Sequence, residues 1–258
     1  MHIPLSFFFF YHRLVVTLQF CASAESTLAS LPKLEPNAKR LYLCRHGETE
    51  ANFAGLLDGQ SLDSPLTADG VEQARLLGAE LSSVGIQLDV VASSDLQRAL
   101  RTADQVFEQQ ASTSASRPRR EVLAGVREMH CGSWEGQMVR DVREGIVRVS
   151  KHWKEGRIQM TVCEGGESPA VCFERSLDAV LSLLRGDGRH VCVVAHSILN
   201  KILLAGILGG IDKMDQIPQS NCSISVVDFD VMSQSFAGVP GGLNVVSHLG
   251  GTRAGRSL

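Results

Sequence analysis

Two apolar runs, residues 41–44 (Leu-Tyr-Leu-Cys) and 191–195 (Val-Cys-Val-Val-Ala), lead directly into a histidine site: Arg45-His46 after the first and His196 after the second. Unbroken apolar runs of this length suit strands buried on both faces of a parallel sheet. Residues leaving the carboxyl ends of such strands sit where open α/β sheets place their ligands. One strand-end histidine reads as a polar loop cap. Two of them, one beside an arginine, make a candidate site. Arg45 offers a planar fork of donors matched to phosphate oxygens, and Gly47, lacking a side chain, is expected to let an anion lie against the backbone. A histidine there can attack phosphorus.

The rest of the chain supplies the alternating elements that a parallel sheet needs. Residues 50–65 read as a polar, Gly-rich loop. Thr67 is placed to cap a helix whose apolar residues Val71, Ala74, Leu77, Leu81 and Val84 recur every three or four positions, with Gly85 as its stop. Residues 88–92 form a second strand candidate. Ser93-Ser94-Asp95 then turns into a helix that carries Arg98 in its first turn, on the same rim as Arg45. Residues 121–124 are expected as a short third strand, followed by a shaped loop, Arg127 to Gly136, and an amphipathic helix along Val139, Val142, Ile146, Val149 and Trp153. Ser168 and Pro169 have the residue types of a helix cap and first position. Residues 222–229 alternate as a strand, residues 231–236 do so more weakly, and residues 243–246 are expected as a last edge strand. Asp228 and Asp230 read as turn residues, and His248 as structural.

Composition bounds what else the chain can be. The length of 258 residues and 44% hydrophobic content suffice for one sizeable core. A net charge of −3 gives no global drive towards nucleic acid or anionic membranes, so the field that attracts a negative substrate must be local. Seven scattered cysteines without a Cys-x-x-Cys pair predict neither a disulfide framework nor a zinc site. Residues 1–24, with four consecutive phenylalanines and Ala22-Ser23-Ala24, read as a targeting leader. His12 and Arg13 divide its apolar residues into pieces far shorter than the roughly 20 residues of a spanning helix. The expected organisation is a leader over 1–24, a linker over 25–39, one domain over 40–249 and a flexible tail over 250–258. The expected location is intracellular, in the cytoplasm or an organelle that a cleavable leader reaches.

Arg45-His46-Gly47-Glu48-Thr49 with Asn52, Pro65-Leu66-Thr67, Ser93-Ser94-Asp95-Leu96-Gln97-Arg98-Ala99 with Thr102, Glu128 with Gly132-Ser133-Trp134-Glu135-Gly136, Gly166-Glu167-Ser168, and His196 together resemble the histidine phosphatase superfamily, also called phosphoglycerate-mutase-like. The resemblance implies a three-layer α/β/α sandwich with a mostly parallel central sheet. It implies that His46 becomes phosphorylated, that Arg45, Arg98 and His196 surround the phosphoryl group, and that Glu128 is the proton donor. Asn52 and Ser197 are secondary candidates for phosphate or substrate contact; as alternatives, Asn52 caps the loop, and Ser197 narrows the room where many relatives have glycine.

Phosphate monoesters hydrolyse very slowly unaided, so such a site must neutralise phosphoryl oxygens and protonate a poor leaving group. Glu128 should therefore enter the cycle protonated, through partial burial or the charge of the bound phosphate. His46 should be neutral, with its proton fixed on the non-attacking nitrogen by an acceptor such as a backbone carbonyl. The arginines supply the positive charge, so no metal and no cofactor is expected. The block after Glu128 resembles phosphatase members and lacks the Arg-His-Tyr-Gly-Gly-Leu pattern of true mutases. The expected activity is metal-independent hydrolysis of small phosphorylated metabolites. The alternatives are a phosphoglycerate mutase or a catalytically silent domain that binds phosphorylated ligands.

Overall fold

The computed structural model describes residues 28–113 and 116–250. Its elements in chain order are β1 (Ala38–Arg45), α1 (Glu50–Ala54), α2 (Ala68–Ser83), β2 (Val90–Ser93), α3 (Gln97–Thr113), β3 (Arg119–Val122), α4 (Val139–Lys154), α5 (Pro169–Arg185), β4 (His190–Ala195), α6 (Ser197–Leu208), β5 (Ile224–Asp230) and β6 (Ser235–Gly238). Six strands form one sheet in the order β3-β2-β4-β1-β5-β6. β3, β2, β4 and β1 run parallel, β5 is antiparallel to β1, and β6 is antiparallel to β5. Alternation along the two central strands divides the core. Leu41, Leu43, Val191, Val193 and Ala195 pack with residues of α5 and α6 on one face. Tyr42, Cys44, Cys192 and Val194 pack with α2 and α3 on the other. The result is the three-layer α/β/α sandwich expected from the sequence, with five strands pointing one way and β5 opposed to them.

The caps follow their sequence signals. Thr67 accepts a hydrogen bond from the Gly70 amide, and Ser168 accepts one from the Val171 amide with Pro169 behind it at the first helical position. Four expectations are corrected. First, β1 is eight residues long and begins at Ala38, inside the expected linker, because Arg40 belongs to it. Its guanidinium is buried and paired in a fork with Asp228, Nε to Oδ1 at 2.7 Å and a terminal nitrogen to Oδ2 at 2.8 Å, so Asp228 is a strand residue rather than a turn residue. Leu28 is buried too, and Pro32 accepts from Arg40, so the chain before β1 packs on the sheet. Second, the loop over 50–65 contains α1, nucleated by a capping box between Thr49 and Asn52. Third, β2 and β3 each lie one or two residues from their expected places, β3 as an edge strand with exposed ends. Fourth, residues 243–246 form no strand. Val245 makes an isolated bridge to Ile224, while Asn244 adopts φ 53° and uses its side-chain oxygen to accept from the Ser220 amide, committing the segment to a turn. Likewise residues 231–234 form a turn, with Asp230 accepting from the Met232 and Ser233 amides, and β6 starts only at Ser235.

The six described cysteines are all free, five of them buried. No described helix is long and apolar enough to cross a membrane. The expected leader, and the tail beyond Gly250, lie outside the described residues.

Candidate active site

The register of the two central strands brings the histidines together. Arg45 pairs with Ala195 across the parallel ladder, and the His46 amide donates to the Ala195 carbonyl at 3.0 Å. Both chains then leave the sheet at the same rim, with the imidazoles of His46 and His196 5.2 Å apart between ring centroids and inclined by 57°. β2 ends on the other side of β4, and α3 carries Arg98 back to the same point, where its Nε donates to Nδ1 of His196 at 3.2 Å.

Neighbours fix the protonation of both rings. His46 Nδ1 lies 2.7 Å from the Gly47 carbonyl, which can only accept, so Nδ1 bears the hydrogen and Nε2 keeps its lone pair. Burial, then the charges of Arg98 and Arg45, hold the His46 pKa well below its ordinary value, so the ring is neutral. His196 is lowered by burial and by Arg98 in the same way; because Nδ1 accepts from Arg98, its hydrogen sits on Nε2. That Nε2 is buried and has no protein partner, as are Arg45 Nε and Ser197 Oγ.

Arg45 is held from two sides. One terminal nitrogen donates to the Gln219 carbonyl at 2.8 Å, and the other reaches Asn52 Oδ1 at 3.5 Å. Burial pushes its pKa down to about 10, with Glu128 opposing that shift. Asn52 Oδ1 also accepts from the Asn221 side chain at 3.2 Å, and the same Asn221 amide group reaches the His46 carbonyl at 3.1 Å. Asn52 completes the α1 cap, as one of its two expected roles has it, and its side chain also lines the pocket.

Glu128 reaches the site from the loop after β3. Its Oε1 accepts from the amides of Leu199 and Met129, both at 2.8 Å, and its Oε2 from the amide of Ile198 at 3.1 Å. Two of these donors are the free amides at the start of α6, whose partial positive charge faces the carboxylate. All of these partners are donors. The backbone behind Glu128 is anchored by Arg175, which donates to the carbonyls of Gly125, Arg127 and Glu128 and pairs in a fork with Glu167.

Glu135 fastens the opposite wall. Its carboxylate accepts from the amides of Gln60 at 3.0 Å, Ser61 at 2.7 Å and Cys131 at 2.7 Å. Gly59 lies so close that a Cβ there would stand 2.0 Å from Glu135 Oε1. The Gly59 carbonyl in turn accepts from Arg98 at 2.6 Å.

The reason for glycine at position 47 differs from the one expected. A Cβ there would stand 2.3 Å from the Gly70 carbonyl oxygen, and one at Gly70 would stand 2.0 Å from the Glu48 carbonyl oxygen. The pair lets the end of β1 cross the first turn of α2; clearance for an anion is not what is being made.

Arg45, His46, Asn52, Arg98, Glu128 and Ser197 line one cleft of about 380 Å³, open to solvent, together with Leu56, Leu57, Asp58, Gly59, Cys131 and Ile198. His196 stands beside it against His46. Asn221, Gln219, Asp58 and Arg175 carry no signal of their own in the sequence reading, and Glu135 enters it only as part of the block after Glu128. The polar run Gln219-Ser220-Asn221 before β5 was the only local signal for the first two; the others act across large sequence separations.

The family model for the histidine phosphatase superfamily (branch 1) matches residues 41–239. A protein of Serratia proteamaculans named "Probable phosphoglycerate mutase GpmB" is 34% identical, covering 73% of this chain and 84% of its own length. An Arabidopsis thaliana protein named "Probable 2-carboxy-D-arabinitol-1-phosphatase" is 29% identical over 74% of this chain, which spans 38% of that longer relative. Among solved structures, Bacillus stearothermophilus YhfR superposes with a TM-score of 0.67 at 29% identity, covering 81% of this chain and 98% of its own. A mycobacterial glucosyl-3-phosphoglycerate phosphatase complexed with VO3 gives 0.65 at 27% identity, covering 77% and 96%.

Proposed function

Because the chain belongs to the histidine phosphatase superfamily, we propose that it hydrolyses small phosphorylated metabolites, without a metal, through a phosphohistidine at His46. The observation that carries this reading is the state of His46, a neutral ring whose Nδ1 hydrogen is engaged by the Gly47 carbonyl and whose Nε2 lone pair is therefore left to react.

In the first step Nε2 attacks phosphorus while the bond to the ester oxygen breaks. Glu128, protonated when the dianionic phosphate binds, delivers its hydrogen to the departing alkoxide. The imidazole becomes cationic, and the Gly47 carbonyl stabilises the Nδ1 hydrogen of that cation. Charge on the transferring oxygens is met by Arg45, Arg98 and the Nε2 hydrogen of His196, with Ser197 Oγ as a further donor. In the second step water attacks the phosphohistidine, gives its proton to Glu128, and inorganic phosphate leaves. Asn52 holds Arg45 in line. The N-terminal residues 1–24 serve as a leader in this reading, and the catalytic domain runs to residue 249 and includes all of β1 from Ala38 and the buried Leu28 before it.

A second reading, a phosphoglycerate mutase, is favoured by the name of the Serratia relative. One experiment separates them. Purified protein in the presence of a chelator is given a panel of phosphate esters, and both free phosphate and alkali-stable phosphoprotein are measured. Hydrolysis with phosphate trapped on His46, lost in His46→Ala, is the expected result. Isomer exchange without net phosphate release would replace the phosphatase by the mutase, and turnover by a folded His46→Ala protein would overturn both.

A further inference from the structure

The cleft combines two kinds of chemistry. Arg45, His46 and Arg98, the groups assigned to the phosphoryl unit, are part of its lining. The leaving-group oxygen has to lie against Glu128, whose carboxylate is held by the amide of Ile198, and the same cleft is lined by the apolar side chains of Ile198, Leu56, Leu57 and Cys131. Among the described residues that line the cleft, both cations are assigned to the phosphate, and the one further charged group apart from Glu128 is the carboxylate of Asp58, which feels the charge of Arg98. Asp58 accepts from the hydroxyls of Thr49 and Ser64. Lys201, one turn further along α6, feels the charges of Arg45, Asp215 and Glu128 but is not part of the lining.

The apolar wall is also fixed in place. The Leu57 amide donates to the Gln137 carbonyl and the Leu57 carbonyl accepts from Gly136, while Leu56 makes a bridge to Met138. Glu135 ties down the next residues of the same loop. A second anionic group on the substrate would therefore meet leucine, isoleucine and two carboxylates, with Asn52 and Ser197 as the other polar side chains of the lining, and would give up hydration without gaining a cation.

Resting on the phosphatase reading above, we propose that this site selects monoesters whose alcohol portion is uncharged and apolar next to the ester oxygen, and that it discriminates against phosphorylated carboxylic acids. Leu56, Leu57 and Ile198 are the residues that set this preference.

The test compares kcat/KM for 3-phenylpropyl phosphate and 3-phosphoglycerate, two primary alkyl esters chosen so that leaving-group ability does not decide the outcome. A preference of roughly tenfold or more for the phenylpropyl ester is expected, the scale of discrimination an apolar pocket provides. Ile198→Arg should reverse the order, raising kcat/KM for the phosphoglycerate and lowering it for the phenylpropyl ester. If that variant does not fold, Leu56→Arg, at a partly exposed position, gives the same readout. Equal rates, or a preference for the acid with phosphate released, would overturn this proposal and leave the phosphatase standing. Failure of both esters to release phosphate or to label His46 would remove the phosphatase reading itself, and this proposal with it.

Discussion

Arg98 Nε donates to His196 Nδ1 at 3.2 Å, and that single bond decides which face of the imidazole presents a hydrogen to the cleft. Arg98→Lys keeps the charge but loses the fork, including the contacts to the Gly59 and Leu62 carbonyls. The expected fall in kcat is about 10²- to 10³-fold, the usual cost of removing one preorganised donor to a developing charge. Nitrogen NMR of His196 should show its hydrogen no longer confined to Nε2.

Glu128→Gln preserves the volume and removes the transferable proton. The expected loss is about 10²- to 10⁴-fold in kcat on alkyl phosphates. On 4-nitrophenyl phosphate, whose leaving group departs without a proton, phosphorylation of His46 should be little affected. A single-turnover comparison of the two esters checks this, and equal losses on both would remove Glu128 from the role of acid.

The buried histidines make stability pH-dependent. Burial lowers His46 and His196 well below the ordinary value, and His248 to about 4. The unfolded chain therefore binds more protons than the native one just below about pH 6.5, where free histidine titrates, so stability falls as the medium is acidified through that region. Denaturant midpoints should decline steadily from pH 7 to pH 5. His248→Gln, which removes a ring outside the cleft lining, should flatten part of that decline.

Gly47→Ala would drive a methyl group into the Gly70 carbonyl, at 2.3 Å. Either the end of β1 or the first turn of α2 has to move, at a cost of about 1–3 kcal/mol for overpacking. A lower melting temperature is expected, together with a loss of activity, because the acceptor that orients His46 is the carbonyl of this same residue.

Much of this architecture is legible in the sequence because burial on both faces leaves an unmistakable trace. β4 occupies the residues its apolar run predicts, and the caps at Thr67 and Ser168 stand where their residue types put them. The misses share a physical cause. Ala38 and Lys39 look like the end of a linker because the residues they pair with, Asp230 and Phe229, are far along the chain. Asn244 looks like part of an alternating strand because nothing local reveals its left-handed backbone. At the site, the groups expected at the strand ends are brought to one rim. The supporting groups Arg175 and Asn221 escape notice, and Glu135 is visible only as a motif residue without a role, because each acts by accepting from or donating to backbone brought close only by folding.

The pairing of Arg45 with Ala195 has an implication for how this protein can fail. Slipping the two central strands by one residue would turn one imidazole through to the opposite side of the sheet. Chemistry is thereby tied to the integrity of the ladder in an all-or-nothing manner: inactivation on heating should coincide with melting of the sheet, and no folded, half-competent form should precede it.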